Sequence, residues 1–188
     1  MQSICVFCGS SPGRHPGYLK LARELGEMLA RRKLTVIYGG GRVGLMGAVA
    51  DAALGAGGRV IGVIPQLLID KEVGHAGLSE LRIVNTMAQR KLLMGDLADA
   101  FITLPGGIGT MDELFEAWTW TQLGLHAKPC GLLNHEGYYD PLIQFVDRAV
   151  QEGFLRPPSR AQLLVDTDMT RLVERLIAAT ADVSLLNP

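Results

Sequence analysis

Leu104-Pro105-Gly106-Gly107-Ile108-Gly109-Thr110-Met111-Asp112-Glu113 joins two different hydrophobic rhythms. Ahead of it, Ala100 to Leu104 is an unbroken apolar run, the pattern of a buried strand. Behind it, Leu114, Ala117, Trp118 and Leu125 recur at helical spacing. The stretch is therefore a strand, a glycine-rich turn and the N-terminus of a helix. Such a unit belongs to parallel sheets, whose strands are linked by helical crossovers.

The turn itself has a chemical bias. Gly106, Gly107 and Gly109 let backbone amides approach a ligand with no side chain between them. The first amides of a helix have no partner within it, and the positive end of the helix dipole faces outward. Together these suit a phosphate. Glu113 places a carboxylate at the far end of the same turn. A plainer reading is a capping box, with Thr110 as N-cap and Glu113 reaching back to its amide. That box does not require three glycines and an entering proline, so the phosphate reading is preferred, with Thr110 able both to cap and to bind.

The same alternation extends outward. Ile4 to Cys8, Leu34 to Tyr38, Arg59 to Ile64, Leu81 to Val84, Cys130 to Leu133 and Leu163 to Val165 read as further strands, with Pro65 stopping the third. Helical spacing is found in Tyr18, Leu21, Ala22, Leu25, Met28 and Leu29, in the small-residue run Leu45 to Leu54, and from Thr86 to Leu97. Tyr139 to Val150 is helical with Leu142, Phe145, Val146 and Ala149 inward, and Thr170 to Ala179 with Leu172, Val173, Leu176 and Ile177 inward. Gln66 to Glu80 reads as a loop with some helix. Continuously apolar strands separated by helices predict an α/β fold, a doubly wound Rossmann-like parallel sheet flanked by helices. It forms a single domain over residues 1–182, with a frayed tail at 183–188. Three glycine-rich turns, Gly9 to Gly13, Gly39 to Gly44 and Gly106 to Gly109, then converge at the carboxyl ends of the strands.

Composition limits the function. The 188 residues are 48% hydrophobic with a net charge of -1, which gives no general attraction to nucleic acid or an anionic membrane. No apolar run approaches the roughly 20 residues of a transmembrane helix. The chain starts directly in a strand pattern, without a signal-peptide signature, so a cytoplasmic location is expected. Cys5-Val6-Phe7-Cys8 has C-x-x-C spacing, but positions three apart in a strand point to opposite faces, so buried free thiols are expected there. His15, His75, His126 and His135 are scattered, and no metal site is predicted. Trp118 and Trp120, two apart on a helix, cannot share a face. One belongs in the core and the other at a subunit interface.

Gly39-Gly40-Gly41-Arg42-Val43-Gly44 matches the dinucleotide fingerprint G-x-G-x-x-G. It follows the second strand rather than the first. About twenty residues on, where an acid would hold the ribose hydroxyls, the chain reads Val63-Ile64-Pro65-Gln66. Close backbone approach to a mononucleotide is the better reading of these glycines. Arg90 and Lys91 lie on the helix before the central strand, where a solvated helix face would be their ordinary role. Arg90 can instead meet Glu113 across the strand end and hold it ionised. An ionised carboxylate beside a sugar phosphate suits cleavage at an anomeric carbon through an oxocarbenium-like state. Glu116 shares a face with Glu113, while Asp112 points elsewhere and complements the helix dipole.

With Met87, Arg90 and Lys91, the segment Pro105 to Glu113 closely resembles the paired motifs of the LONELY GUY-type cytokinin riboside 5'-monophosphate phosphoribohydrolases, some relatives of which carry a lysine decarboxylase label. The likeness also takes in Cys5 to Ser11, Gly39-Gly40-Gly41, Gly44 to Gly47, Trp120 to Gly124 and Gly137-Tyr138-Tyr139, and weakens after about Phe154. The resemblance implies hydrolysis of the N-glycosidic bond of an adenine-type nucleoside 5'-monophosphate, giving the free base and ribose 5-phosphate. It makes Arg90 and Glu113 the catalytic pair. The turn from Gly107 through Ile108, Gly109, Thr110 and Met111 to Asp112 would hold substrate, with Glu72, Lys91 and Thr119 as further contacts. It implies no cofactor and a homodimer. Relatives often read Met-His-x-Arg-Lys, whereas Ala88 stands here in place of the imidazole, which leaves the preferred base open. A pyridoxal decarboxylase would need a Schiff-base lysine, and Lys91 is the one lysine suitably placed. The competing reading is a non-enzymatic carrier of a nucleotide or of molybdenum cofactor on the same fold. It would keep the glycine turns without requiring both Arg90 and Glu113.

Overall fold

The protein, seen here as a computed structural model, is described over residues 1–69 and 74–186, with side chains to residue 181. Its strands are β1 (Ser3–Phe7), β2 (Thr35–Tyr38), β3 (Val60–Pro65), β4 (Glu80–Val84), β5 (Ala100–Thr103), β6 (Cys130–Leu133) and β7 (Leu163–Asp166). They form one sheet in the order β4-β3-β2-β1-β5-β6-β7, every pair parallel. The chain winds outward from β1 to β4 and then returns to the other side of β1 to lay down β5. The β1/β5 boundary is thus the switch point at which doubly wound folds bind ligands.

Helices α1 (Gly17–Arg31), α2 (Gly44–Gly55) and α8 (Met169–Leu186) cover one face. Helices α4 (Met87–Leu97), α5 (Ile108–Gln122) and α6 (Asp140–Gln151) cover the other. Short helices α3 (Gln66–Ile69) and α7 (Pro157–Ala161) complete the set. Alternation along β1 explains the two-sided core: Ile4 and Val6 face α1 and α2, while Cys5 and Phe7 face α4 and α5. Cys5 and Cys8 fall in opposite core layers, and burial pushes both thiols up, so they are inert free thiols. The small residues of α2 let α1 come close: a side-chain carbon on Gly26 would lie 2.3 Å from the Val49 carbonyl oxygen.

Several details depart from the sequence pattern. β3 runs through Pro65, which pairs with Val84 at the strand's end, where a missing amide costs least. α5 ends at Gln122, so Leu125 is 70% exposed instead of joining the Leu114, Ala117, Trp118 stripe. Phe145 points outward at 66% exposure, and Val146 alone is fully buried on α6. α8 is helical to Leu186, and residues 187–188 of the expected frayed tail lie outside the described part.

Candidate active site

Helix α4 has a well-made start. Thr86 is its N-cap and accepts the Gln89 amide at 3.1 Å, while the Gln89 side chain reaches back to the Asn85 amide at 2.9 Å. That start fixes the rotation of α4, and the rotation turns Arg90 inward. Arg90 is 6% exposed, far from a solvated helix face. Its Nε donates to the Val63 carbonyl at 3.1 Å and its Nη2 to the Gly39 carbonyl at 2.9 Å. Its Nη1 lies 3.4 Å from Glu113 Oε1. The guanidinium therefore ties the carboxyl ends of β2 and β3 to the first turns of α5.

The capping-box reading of α5 does not hold. Its N-cap is Gly107, which makes no side-chain cap, and Thr110 lies inside the helix, 4% exposed. Glu113 instead turns toward Arg90. Burial raises its carboxyl from 4.5 to about 7 against the opposing pull of Arg90, with Asp112 adding to the rise. The expectation that Arg90 would hold the group fully ionised is thus corrected, because desolvation of a nearly enclosed carboxyl outweighs one cation. Glu113 sits poised between its two forms near neutral pH.

Lys91 faces two acids, with Nζ 3.0 Å from Asp112 Oδ2 and 2.9 Å from Glu116 Oε2. Asp112 and Glu116 are one turn apart and hold the ammonium between them. Asp112 therefore does more than complement the dipole. Burial alone would lower the Lys91 ammonium, but hydrogen bonds to Glu116 and Asp112 raise it. Thr119 is exposed, six residues beyond Glu113 on the outer side of α5, and the structure does not bring it to the Arg90–Glu113 pair. Glu72 lies outside the described residues. Met111 is half-buried, whereas Gly107, Ile108 and Gly109 stand open to solvent, Ile108 at 90%.

The three glycine turns do meet, and Gly9 joins them. Its amide donates to the Pro105 carbonyl at 3.1 Å, and its own carbonyl accepts the Leu45 amide at 3.0 Å. The second and third amides of α2, those of Leu45 and Met46, therefore both point at the Gly9 carbonyl within the chain. The glycines there serve internal approaches. A side-chain carbon on Gly39 would lie 1.7 Å from Arg90 Nη2, one on Gly44 2.3 Å from the Ser10 carbonyl carbon, and one on Gly47 2.1 Å from the Arg42 carbonyl oxygen. Internal packing thus accounts for Gly39 and Gly44 without a ligand. It also removes the dinucleotide reading, since β2 does not border the switch point. At α5 the reverse is true. Among the described residues, none of the amides of Gly107, Ile108, Gly109 and Thr110 donates within the chain, and a side-chain carbon on Gly107 or Gly109 would meet nothing within 4 Å. A cavity of about 280 Å³ opens beside them, between the Gly9–Gly13 loop and Pro105–Gly107, with Leu45, Tyr18 and Tyr138 around it. A larger cavity of about 580 Å³ lies at the opposite, amino ends of the strands, lined by Thr121, His126 and Gln162 among others and far from Arg90 and Glu113.

Sequence reasoning gave no role to the tyrosines after β6. Tyr138 donates its hydroxyl to the Gly106 carbonyl and Tyr139 to the Leu104 carbonyl, each at 2.7 Å. Their place just past the carboxyl end of a strand next to β5 was the available signal.

Comparison with known proteins agrees with this geometry. Residues 46–176 match the family described as "Possible lysine decarboxylase". A cytokinin riboside 5'-monophosphate phosphoribohydrolase of Rhodococcoides fascians is 51% identical over 95% of this chain and 88% of its own. One of Arabidopsis thaliana is 49% identical over 92% of this chain and 80% of its own. Among solved structures, the molybdenum cofactor binding protein of Rippkaea orientalis superposes with a TM-score of 0.71 at 22% identity, covering 94% of this chain and 95% of its own. At that identity the likeness speaks for the fold alone.

Proposed function

The chain belongs to the family described as possible lysine decarboxylase, and we propose that it is a phosphoribohydrolase that removes the base from nucleoside 5'-monophosphates, cytokinin riboside monophosphates among them. The observation that carries this reading is the buried Arg90–Glu113 pair, 3.4 Å apart, set one helical turn below the open amides of α5. One turn spans about 5.4 Å, so a 5'-phosphate on those amides brings its ribose alongside Glu113. In the reaction the bond from the anomeric carbon to the base nitrogen breaks. The departing base keeps the bonding electrons, and the sugar passes through an oxocarbenium-like state. Ionised Glu113 stabilises that positive charge and orients the attacking water. Water gives its oxygen to the anomeric carbon and a proton to the base, so the products are free base and ribose 5-phosphate. Arg90 fixes Glu113 and supplies the partner charge that keeps its ionised form accessible.

The decarboxylase label fits poorly. A Schiff-base lysine is activated by a lowered pKa, whereas Lys91 is held between two carboxylates and raised. The relatives named as phosphoribohydrolases support the hydrolase reading.

A homodimer is part of the proposal. Met87, Leu92, Phe115 and Phe145 leave apolar surface exposed on α4, α5 and α6. Among the described residues, α1, α2 and α8 expose no large apolar side chain of that kind. A second copy over the α4–α5 face would cover this surface. A cytoplasmic location is part of the proposal, since the buried free thiols Cys5, Cys8 and Cys130 suit a reducing compartment; among the described residues no helix is long and apolar enough to cross a membrane.

Incubation with isopentenyladenosine monophosphate and with AMP, followed by chromatography of the bases, tests the activity. Equimolar base and ribose 5-phosphate are expected. Tight binding with no base released from either substrate would replace the enzyme with a carrier.

A further inference from the structure

We propose that Tyr138 is a positioning residue that sets the direction of the phosphate-binding amide of Gly107, and so makes the site prefer phosphorylated sugars over nucleosides. The inference rests on the phosphate cradle of the preceding section. It concerns how two adjacent glycines hold a fixed shape. Gly107 has no atom within 4 Å of where a side chain would begin, so nothing packs against it to fix its conformation. The two successive peptide planes that lead up to it, Pro105–Gly106 and Gly106–Gly107, are nevertheless held through their carbonyl oxygens. The Pro105 carbonyl accepts the Gly9 amide at 3.1 Å, and the Gly106 carbonyl accepts the Tyr138 hydroxyl at 2.7 Å. A trans peptide is planar, with its C=O and N–H pointing in opposite directions, and the described chain has no cis peptide. A donor that fixes the Gly106 carbonyl therefore also aims the Gly107 N–H, the first amide of the cradle.

The donor is itself held firmly. The Tyr138 ring meets Tyr139 edge-on at 4.8 Å and Tyr18 edge-on at 5.7 Å. The turn that carries it is built on left-handed residues, Glu136 at φ 50° and Gly137 at φ 74°. A side-chain carbon on Gly137 would lie 2.6 Å from Asp140 Oδ2, whose carboxylate also accepts from Asn134 Nδ2 at 2.7 Å. Tyr138 lines the cavity beside the cradle. Its hydroxyl thus joins a rigid turn after β6 to the most permissive point of the turn after β5. An amide aimed before the anion arrives needs no reordering on binding, and that is how preorganisation adds affinity.

Tyr139 supplies an internal control. Its hydroxyl donates to the Leu104 carbonyl at 2.7 Å, but the next residue on that peptide is Pro105, which has no N–H to aim. The two tyrosines hold successive parts of one turn, and only Tyr138 controls an amide.

The test compares Tyr138→Phe and Tyr139→Phe with the wild type by titration calorimetry, using ribose 5-phosphate, inorganic phosphate and adenosine. Loss of one net hydrogen bond corresponds to a change of roughly two- to twelve-fold. Tyr138→Phe is expected to weaken ribose 5-phosphate and phosphate by a factor in that range, raise KM more than it lowers kcat, and leave adenosine affinity as it was. Tyr139→Phe is expected to lower Tm while keeping phosphate affinity. Unchanged phosphate affinity in Tyr138→Phe, or an equal loss for adenosine, overturns the proposal. So does a wild type that binds neither phosphate nor ribose 5-phosphate. Phosphate binding that responds as expected in a protein releasing no base would sustain this inference and refute the hydrolase reading.

Discussion

Gly39 and Arg90 occupy the same space. The Arg90 guanidinium lies where a side chain on residue 39 would begin, 1.7 Å from that point, and donates to the Gly39 carbonyl at 2.9 Å. The glycine at the end of β2 is therefore a doorway for the arginine. Gly39→Ala is expected to expel the guanidinium and leave Glu113 buried without its partner. Breaking a buried pair costs about 3–5 kcal/mol, so Tm should fall, and turnover should drop by about 10²-fold or more. Turnover within a few-fold of wild type would show that Arg90 can act from another position.

Glu113 carries the chemistry in this account, and Glu113→Gln keeps its shape while removing the charge. Loss of about 10²–10³ in kcat is expected, with substrate affinity kept, since the α5 amides are untouched. Rapid-quench turnover and calorimetric binding on the same preparation would separate the two effects. Normal turnover would mean that Glu113 is only a structural partner of Arg90.

The raised carboxyl of Glu113 gives two pH dependences of known sign. The ionised form is the active one, so kcat/KM should rise with pH through about 7. For stability the folded protein keeps the proton to about pH 7, whereas the unfolded chain releases it near 4.5. The contribution of this group is therefore full below 4.5 and is lost as the pH rises to 7. Asp166, held well below the usual carboxylate range by hydrogen bonds from Arg171, acts only at lower pH, and His126, whose imidazole burial lowers, adds a rise with pH that wild type and Glu113→Gln share. Melting curves from pH 5 to 8 should therefore fall in the wild type relative to Glu113→Gln. Equal slopes in the two proteins would contradict the burial of a protonated carboxyl.

How much of this was legible follows from what each signal encodes. Period and turn chemistry gave the strands, the parallel sheet and the meeting of three glycine turns, because continuously apolar strands and glycine turns are local patterns. They could not separate the α5 turn, where Gly107 and Gly109 face solvent, from the turn after β2, where Gly39 faces Arg90 and Gly44 faces Ser10. Both read as glycine runs before a helix. Phe145 and Leu125 looked like core because helical spacing says which residues share a face, not where a helix ends or how wide its buried stripe is. Thr110 looked like an N-cap because the capping-box spacing is right, yet the helix begins earlier, at Ile108. The charge state of Glu113 depends on enclosure by distant segments, which no local pattern records.

Lys91 lets the electrostatics be tested in both directions. It lies between Asp112 and Glu116, and all three act on Glu113. Lys91→Ala leaves two unpartnered acids beside Glu113, so the pH at which activity rises should move up. Asp112→Asn removes one of those acids, so it should move down. Shifts of a few tenths of a unit to about one unit are the expected scale for partly exposed neighbours. Shifts of the same sign in both variants would show that the cluster acts through geometry instead of charge.

Leu92 tests the proposed dimer interface. It is 52% exposed on α4, two residues beyond Arg90, with Met87 at 45% on the same helix. A charge there leaves the monomer's core untouched, since the inward residue of that turn is Met94, at 1% exposure. Leu92→Glu should therefore fold with a Tm near that of the wild type at low concentration yet sediment as a monomer, because each copy would bring an unpartnered carboxylate into an apolar contact. If Leu92→Glu and wild type sediment alike as dimers, the copies meet elsewhere. Trp120→Ala then becomes the informative variant. Trp120 is half-buried over Gly95 of α4, where a side-chain carbon would lie 3.1 Å from its ring, so its ring belongs first to the α4–α5 contact within one chain.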